Sequence, residues 1–92
     1  MTCYLVELYQ PVSDAETLRA AACRLAASAE ELSCEGTPVR YLNTLCLPRD
    51  ETCLHLLEAS CEADVRAVAQ RAAIDVDRVV LAERIDPRGD RA

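Results

Sequence analysis

Val39-Arg40-Tyr41-Leu42-Asn43-Thr44-Leu45-Cys46-Leu47-Pro48-Arg49-Asp50-Glu51-Thr52-Cys53-Leu54-His55-Leu56-Leu57-Glu58-Ala59 is the stretch that decides the fold. Residues 39–47 and 52–59 are runs of strand-forming residues, and Pro48-Arg49-Asp50-Glu51 between them has turn composition. Two such runs this close predict an antiparallel hairpin. A turn centred near Arg49-Asp50 sets Cys46 opposite Cys53, Thr44 opposite His55 and Leu42 opposite Leu57, on one face with Ala59. Tyr41, Asn43, Leu45, Leu54, Leu56 and Glu58 then share the other face.

Upstream of the hairpin, Cys-Tyr-Leu-Val-Glu-Leu-Tyr at 3–9 reads as a strand that ends before Pro11. Ser13 with Glu16 three residues later is a capping box, so the spacing predicts a helix over 13–34. Leu18, Ala21, Ala22, Leu25, Ala29 and Leu32 form its apolar stripe, and Gly36 with Pro38 stops it. Downstream, Ser60 is a cap for a second helix over 60–72, with Glu62 and Asp64 where the helix dipole favours acids. Val65, Val68, Ala69 and Ala72 supply its stripe. Residues 78–85 read as a fourth strand, and the polar tail at 87–92 is expected to fray.

Strand, helix, strand, strand, helix, strand is the split βαβ, or ferredoxin-like, order: an α+β domain over 1–86 with two helices on one face of a four-stranded antiparallel sheet. The other face is left bare. At 92 residues, folding hides only about 60–65% of the exposable surface. A second copy of the chain is the simplest cover for the bare face, so a homodimer is expected.

The charge narrows the partners. Sixteen acids against ten bases give a net −6, the opposite of a face built to grip phosphates, so nucleic acid is not expected. No apolar run nears the roughly 20 residues that span a membrane. The start Met1-Thr2-Cys3-Tyr4 does not read as a signal peptide, and the six cysteines lie inside periodic segments without CxxC spacing. Reduced thiols and a cytoplasmic setting are the expectation.

Two constellations carry candidate chemistry. An ionised Glu7 or Glu58 beneath the helices would be costly, which puts both on the open face. There they join Tyr41 and Asn43 as candidate ligand-binding groups, and two neighbouring carboxylates would share a proton. Cys46, Cys53 and His55 fall beneath the helices. An imidazole and two thiols on paired strands are a donor set for a soft or borderline divalent transition metal, the alternative being a buried histidine with satisfied hydrogen bonds.

Taken together, Tyr4-Leu5-Val6-Glu7, Val39-Arg40-Tyr41-Leu42, Pro48, Asp50-Glu51-Thr52-Cys53, Glu58-Ala59, Arg71-Ala72 and Val76-Asp77-Arg78-Val79 resemble a family of small bacterial ferredoxin-like proteins. One branch of that family is nickel-binding and dimeric. The resemblance spans roughly residues 3–85 and implies a dimer with nickel as the metal. This chain departs from it at Asn43, where many relatives carry histidine, at Leu81, where they often carry an acid, and at Ala73, where they tend to carry glycine. A left-handed alanine at 73 would cost about 1 kcal/mol, so the second helix is expected to end by another route. Two functions follow as expectations. One is a homodimer binding a divalent transition metal or a small hydrophobic ligand at the open face. The other is a small-molecule isomerase or cyclase using the carboxylates in a cavity between the sheets.

Overall fold

The computed structural model describes residues 1–11 and 14–89. The chain runs β1 (Thr2–Tyr9), α1 (Ala15–Cys34), β2 (Val39–Leu47), β3 (Thr52–Ala59), α2 (Glu62–Arg71) and β4 (Arg78–Ala82), with one 3-10 turn over Pro48–Asp50. The strands form one sheet in the order β2-β3-β1-β4, and every pairing is antiparallel. This is the ferredoxin-like arrangement that the element order predicts.

Alternation decides which sheet face is covered. Val6, Val39, Leu57 and Ala59 are at most 2% exposed and belong to one core with Leu25, Ala29 and Leu32 of α1, Val65 and Val68 of α2 and Ala72 at its C-cap. Both helices therefore lie on the face that these strand residues share. Burying a leucine such as Leu25 or Leu57 contributes about 1.5–3 kcal/mol relative to leaving it exposed. Ser33 fastens the end of α1 to the start of β2: its Oγ accepts from Val39 N at 3.1 Å and donates to Val39 O at 2.7 Å.

Local chemistry moves several boundaries. α1 is capped by Asp14, whose carboxylate accepts from Thr17 N at 2.7 Å; the Ser13 of the expected capping box lies outside the described residues, as do residues 90–92 of the tail. Cys61, not Ser60, holds the cap position of α2, with no side-chain cap bond. β4 ends at Ala82 rather than at residue 85: it lies at the edge of the sheet beside β1, and that ladder closes at the pair Cys3–Ala82.

The helix ends are a further correction. Ala73 does adopt the left-handed conformation, at φ 58°. Ala73 N bonds Gln70 O at 3.1 Å and Ile74 N bonds Ala69 O at 2.9 Å. These are the paired bonds of a Schellman turn. α1 ends the same way through Gly36, at φ 103°, with Gly36 N to Ser33 O at 3.1 Å and Thr37 N to Leu32 O at 2.9 Å. Two recovered backbone bonds hold Ala73 in a conformation it disfavours.

The hairpin register agrees with expectation near the turn and departs from it beyond. Cys46 faces Cys53 and Thr44 faces His55 as expected, but a bulge between Tyr41 and Asn43 puts Tyr41, not Leu42, opposite Leu57. One extra residue reverses the facing of everything before it. Tyr41 consequently lies beneath the helices, packed against the core, and not on the open face.

Candidate functional site

The open face is built from alternate residues of all four strands. Leu5, Leu54 and Leu56 are half-buried at its centre, and Leu45 and Leu47 at the β2 edge are 63% and 42% exposed. Charges flank this apolar centre in two separate pairs. Arg78 donates to Glu7 Oε2 from Nε at 3.1 Å and from Nη2 at 2.8 Å. Arg40 Nη1 lies 3.2 Å from Glu58 Oε1, and the Cys3 thiol reaches Glu58 Oε2 at 4.0 Å.

The two carboxylates do not converge. Glu7 faces Leu54 across the ladder, and Leu54 is four residues from Glu58, about 13 Å along β3. Each acid has its own arginine, so the shared proton expected of neighbouring carboxylates has no geometry to support it. Asn43 does stand on this face, opposite Leu56 and exposed. Of the four expected ligand-binding residues, the structure therefore brings Glu7, Asn43 and Glu58 to one face and turns Tyr41 away. The arginines at 40 and 78 were missed. Local pattern gives neither pairing: Arg78 meets Glu7 only because β4 pairs with β1, and Arg40 meets Glu58 only through the bulge in β2.

Beneath the helices, the expected metal donors have other occupations. Cys46 and Cys53 are joined in a disulfide, which overturns the reading of both as reduced thiols. In that state neither sulfur is a thiolate, the form that ligates a metal. The Cα atoms are 4.1 Å apart, the spacing of a non-hydrogen-bonded pair, where facing side chains come closest. His55 is 2% exposed. Its Nδ1 lies 2.7 Å from Thr44 Oγ1, which lies 2.6 Å from the Tyr41 hydroxyl. Burial pushes the imidazole pKa down to about 4, so His55 is neutral at pH 7. The row Tyr41–Thr44–His55 thus satisfies polar groups under α1, and the bulge makes it possible by turning Tyr41 inward. Among the described residues, no three histidine, cysteine or acidic side chains are grouped to hold a metal ion. Nor is any described helix long and apolar enough to cross a membrane.

Fold and site together define a ferredoxin-like α+β protein with one sheet face covered by helices and the other open. SCO4226 from Streptomyces coelicolor A3(2), a solved crystal structure, has this fold with a TM-score of 0.74, covering 91% of this chain and 99% of its own, at 15% sequence identity. Likeness at that identity carries the fold alone. No protein-family model matches the chain, and no curated protein does.

Proposed function

We propose that the protein is a homodimeric binding module, in which two copies close their open sheet faces around a small hydrophobic ligand. One observation carries the reading: the open face is apolar at its centre and electrically neutral. Its strand residues hold two acids, Glu7 and Glu58, and two arginines, Arg40 and Arg78, each acid paired to one arginine, whereas the whole chain carries −6. The net negative charge therefore lies elsewhere, and two copies can meet here without like-charge repulsion. Leu5, Leu54 and Leu56 give such a contact its apolar core, and the ion pairs form a rim.

The resemblance to a nickel-binding branch supports a metal as the ligand instead. That reading needs donors drawn from both copies, because the thiols at 46 and 53 are bridged and His55 Nδ1 is engaged by Thr44. The isomerase or cyclase reading is supported less well by this geometry: Glu7 and Glu58 stand apart in their own ion pairs, and Tyr41 lies on the opposite side of the sheet.

Sedimentation velocity on the untagged chain at micromolar concentration tests the dimer. A dimer is expected, and Leu56→Asp should turn it into a monomer with unchanged far-UV circular dichroism. A wild-type monomer defeats the proposal. Native mass spectrometry of the same sample reads the ligand: an organic adduct on the dimer supports a hydrophobic ligand, and the mass of a metal ion replaces it with the metal reading.

A further inference from the structure

The covered face holds chemistry that the binding reading does not use. The Cys46–Cys53 disulfide bridges the two strands of the hairpin, while Cys3, Cys23, Cys34 and Cys61 are free thiols. Both bridged residues line an apolar cavity of about 80 Å3 at the turn end of the hairpin, walled in part by Leu18 of α1, Leu47 and Pro48. We infer that this bond is a reversible redox site, opened by thiol–disulfide exchange with a dithiol reductant.

Three observations carry the inference. The first is that the ladder continues on both sides of the bond. Thr44–His55 and Leu47–Thr52 pair on either side of it, and β3 is also paired to β1 along its other edge. The bridged residues are only seven apart in sequence, so the bond closes a short loop and constrains the unfolded chain less than a long-range bridge would. The second is asymmetric access. Cys46 is half-buried, whereas Cys53 is 3% exposed, so a reductant approaching from outside meets Cys46 first. The third is room. Two separated thiols occupy more space than a bridge, and the cavity that both side chains already line supplies it without spreading the sheet.

The exchange balances with the dithiol as the only co-reactant. A thiolate of the reductant attacks Cys46 Sγ. The protein S–S bond breaks, and its electron pair leaves on Cys53 Sγ, which takes up a proton. The second thiolate of the reductant then attacks the reductant's own sulfur in the mixed disulfide, and Cys46 departs as a thiolate and is protonated. The dithiol ends as a cyclic disulfide, and the protein gains two electrons and two protons.

The test uses the full native chain, equilibrated in dithiothreitol redox buffers that range from fully oxidised to fully reduced. Samples are quenched in acid, alkylated in denaturant and mapped by mass spectrometry. Four alkylated cysteines are expected at the oxidised end and all six at the reduced end, the additional two being Cys46 and Cys53. Far-UV circular dichroism should not change, and oxidised dithiothreitol should restore the bond. Alkylation of Cys46 and Cys53 at every ratio shows that no bond forms and overturns the inference. Reduction that needs denaturant shows an inert structural bond and overturns it too, as does a reduced chain that no longer unfolds cooperatively.

Discussion

The two faces of the sheet use similar side chains to different ends. Beneath the helices, Val6 and Leu57 are fully buried, and the polar groups among them, Thr44, His55 and Tyr41, bond one another. On the other face, leucines from the same three strands stay partly or largely exposed, and the polar groups are ion pairs that reach water. Hydrophobicity alone therefore does not separate the faces. What separates them is which polar residues accompany the leucines: groups that can be satisfied without charge go under the helices, and charges go outside. The covered face is packed against both helices, whereas no described helix lies on the open face.

The largest effect should come from emptying the covered face. Leu57→Ala leaves a cavity beneath both helices and should destabilise the fold by about 2–5 kcal/mol, read by urea unfolding. Leu54→Ala, on the open face of the same strand, should cost a well-diluted sample less than half as much. Equal losses would mean that the two faces do not differ in this way.

Acid tests the same contrast through charge. His55 has its pKa lowered by burial from 6.5 to about 4, so between those values the unfolded chain binds a proton that the folded chain does not. The stability from this group is complete above pH 6.5 and is lost as pH falls toward 4, to a limit on the order of 3 kcal/mol. In urea titrations from pH 7 to pH 4, His55→Gln should remove this component of the acid loss and leave that of the carboxylates. An unchanged acid slope in the variant would place His55 in contact with water.

Glu7→Gln comes next in size. It removes the acid from Arg78 and, with the face closed on a second copy, leaves that guanidinium poorly paired. The dimer should weaken roughly tenfold, about 1.4 kcal/mol, by sedimentation equilibrium. The dilute monomer should change by under about 1 kcal/mol, because Arg78 is 65% exposed there. No change in association would place Glu7 outside the contact.

The fold was legible in the sequence because hydrophobic period and turn composition are local signals, and all four strands and both helices registered in them. Three features of the site were not fully legible. The bulge at Leu42 leaves no mark in composition: Tyr41 and Leu42 suit a strand equally well, and the choice of which one faces Leu57 rests on tertiary contacts, a buried ring and a hydroxyl within reach of Thr44. The disulfide was half legible. The register already set Cys46 opposite Cys53, but cysteine composition was read as a sign of compartment and not as a statement about that one pair. The arginine partners were hidden too: Arg78 meets Glu7 only once β4 lies beside β1, and Arg40 meets Glu58 only through the bulge.

The smallest expected effect concerns the layer that makes one face the covered one. α1 and α2 end in the same backbone turn, one through Gly36 and one through Ala73, and both residues have positive φ. At Gly36, a built Cβ would meet nothing within 4 Å, so Gly36→Ala carries only the conformational penalty and should cost about 1 kcal/mol. Ala73→Gly reverses that penalty. It also loosens the unfolded chain, which offsets part of the gain, so the net stabilisation should stay under about 1 kcal/mol. In a chain of this size that is a rise in Tm of a few degrees, with all proteins compared at one concentration because self-association also raises Tm. If Ala73→Gly leaves Tm unchanged or lowers it while Gly36→Ala destabilises, the end of α2 is not held left-handed in solution, and the two helices cover the sheet by different terminations.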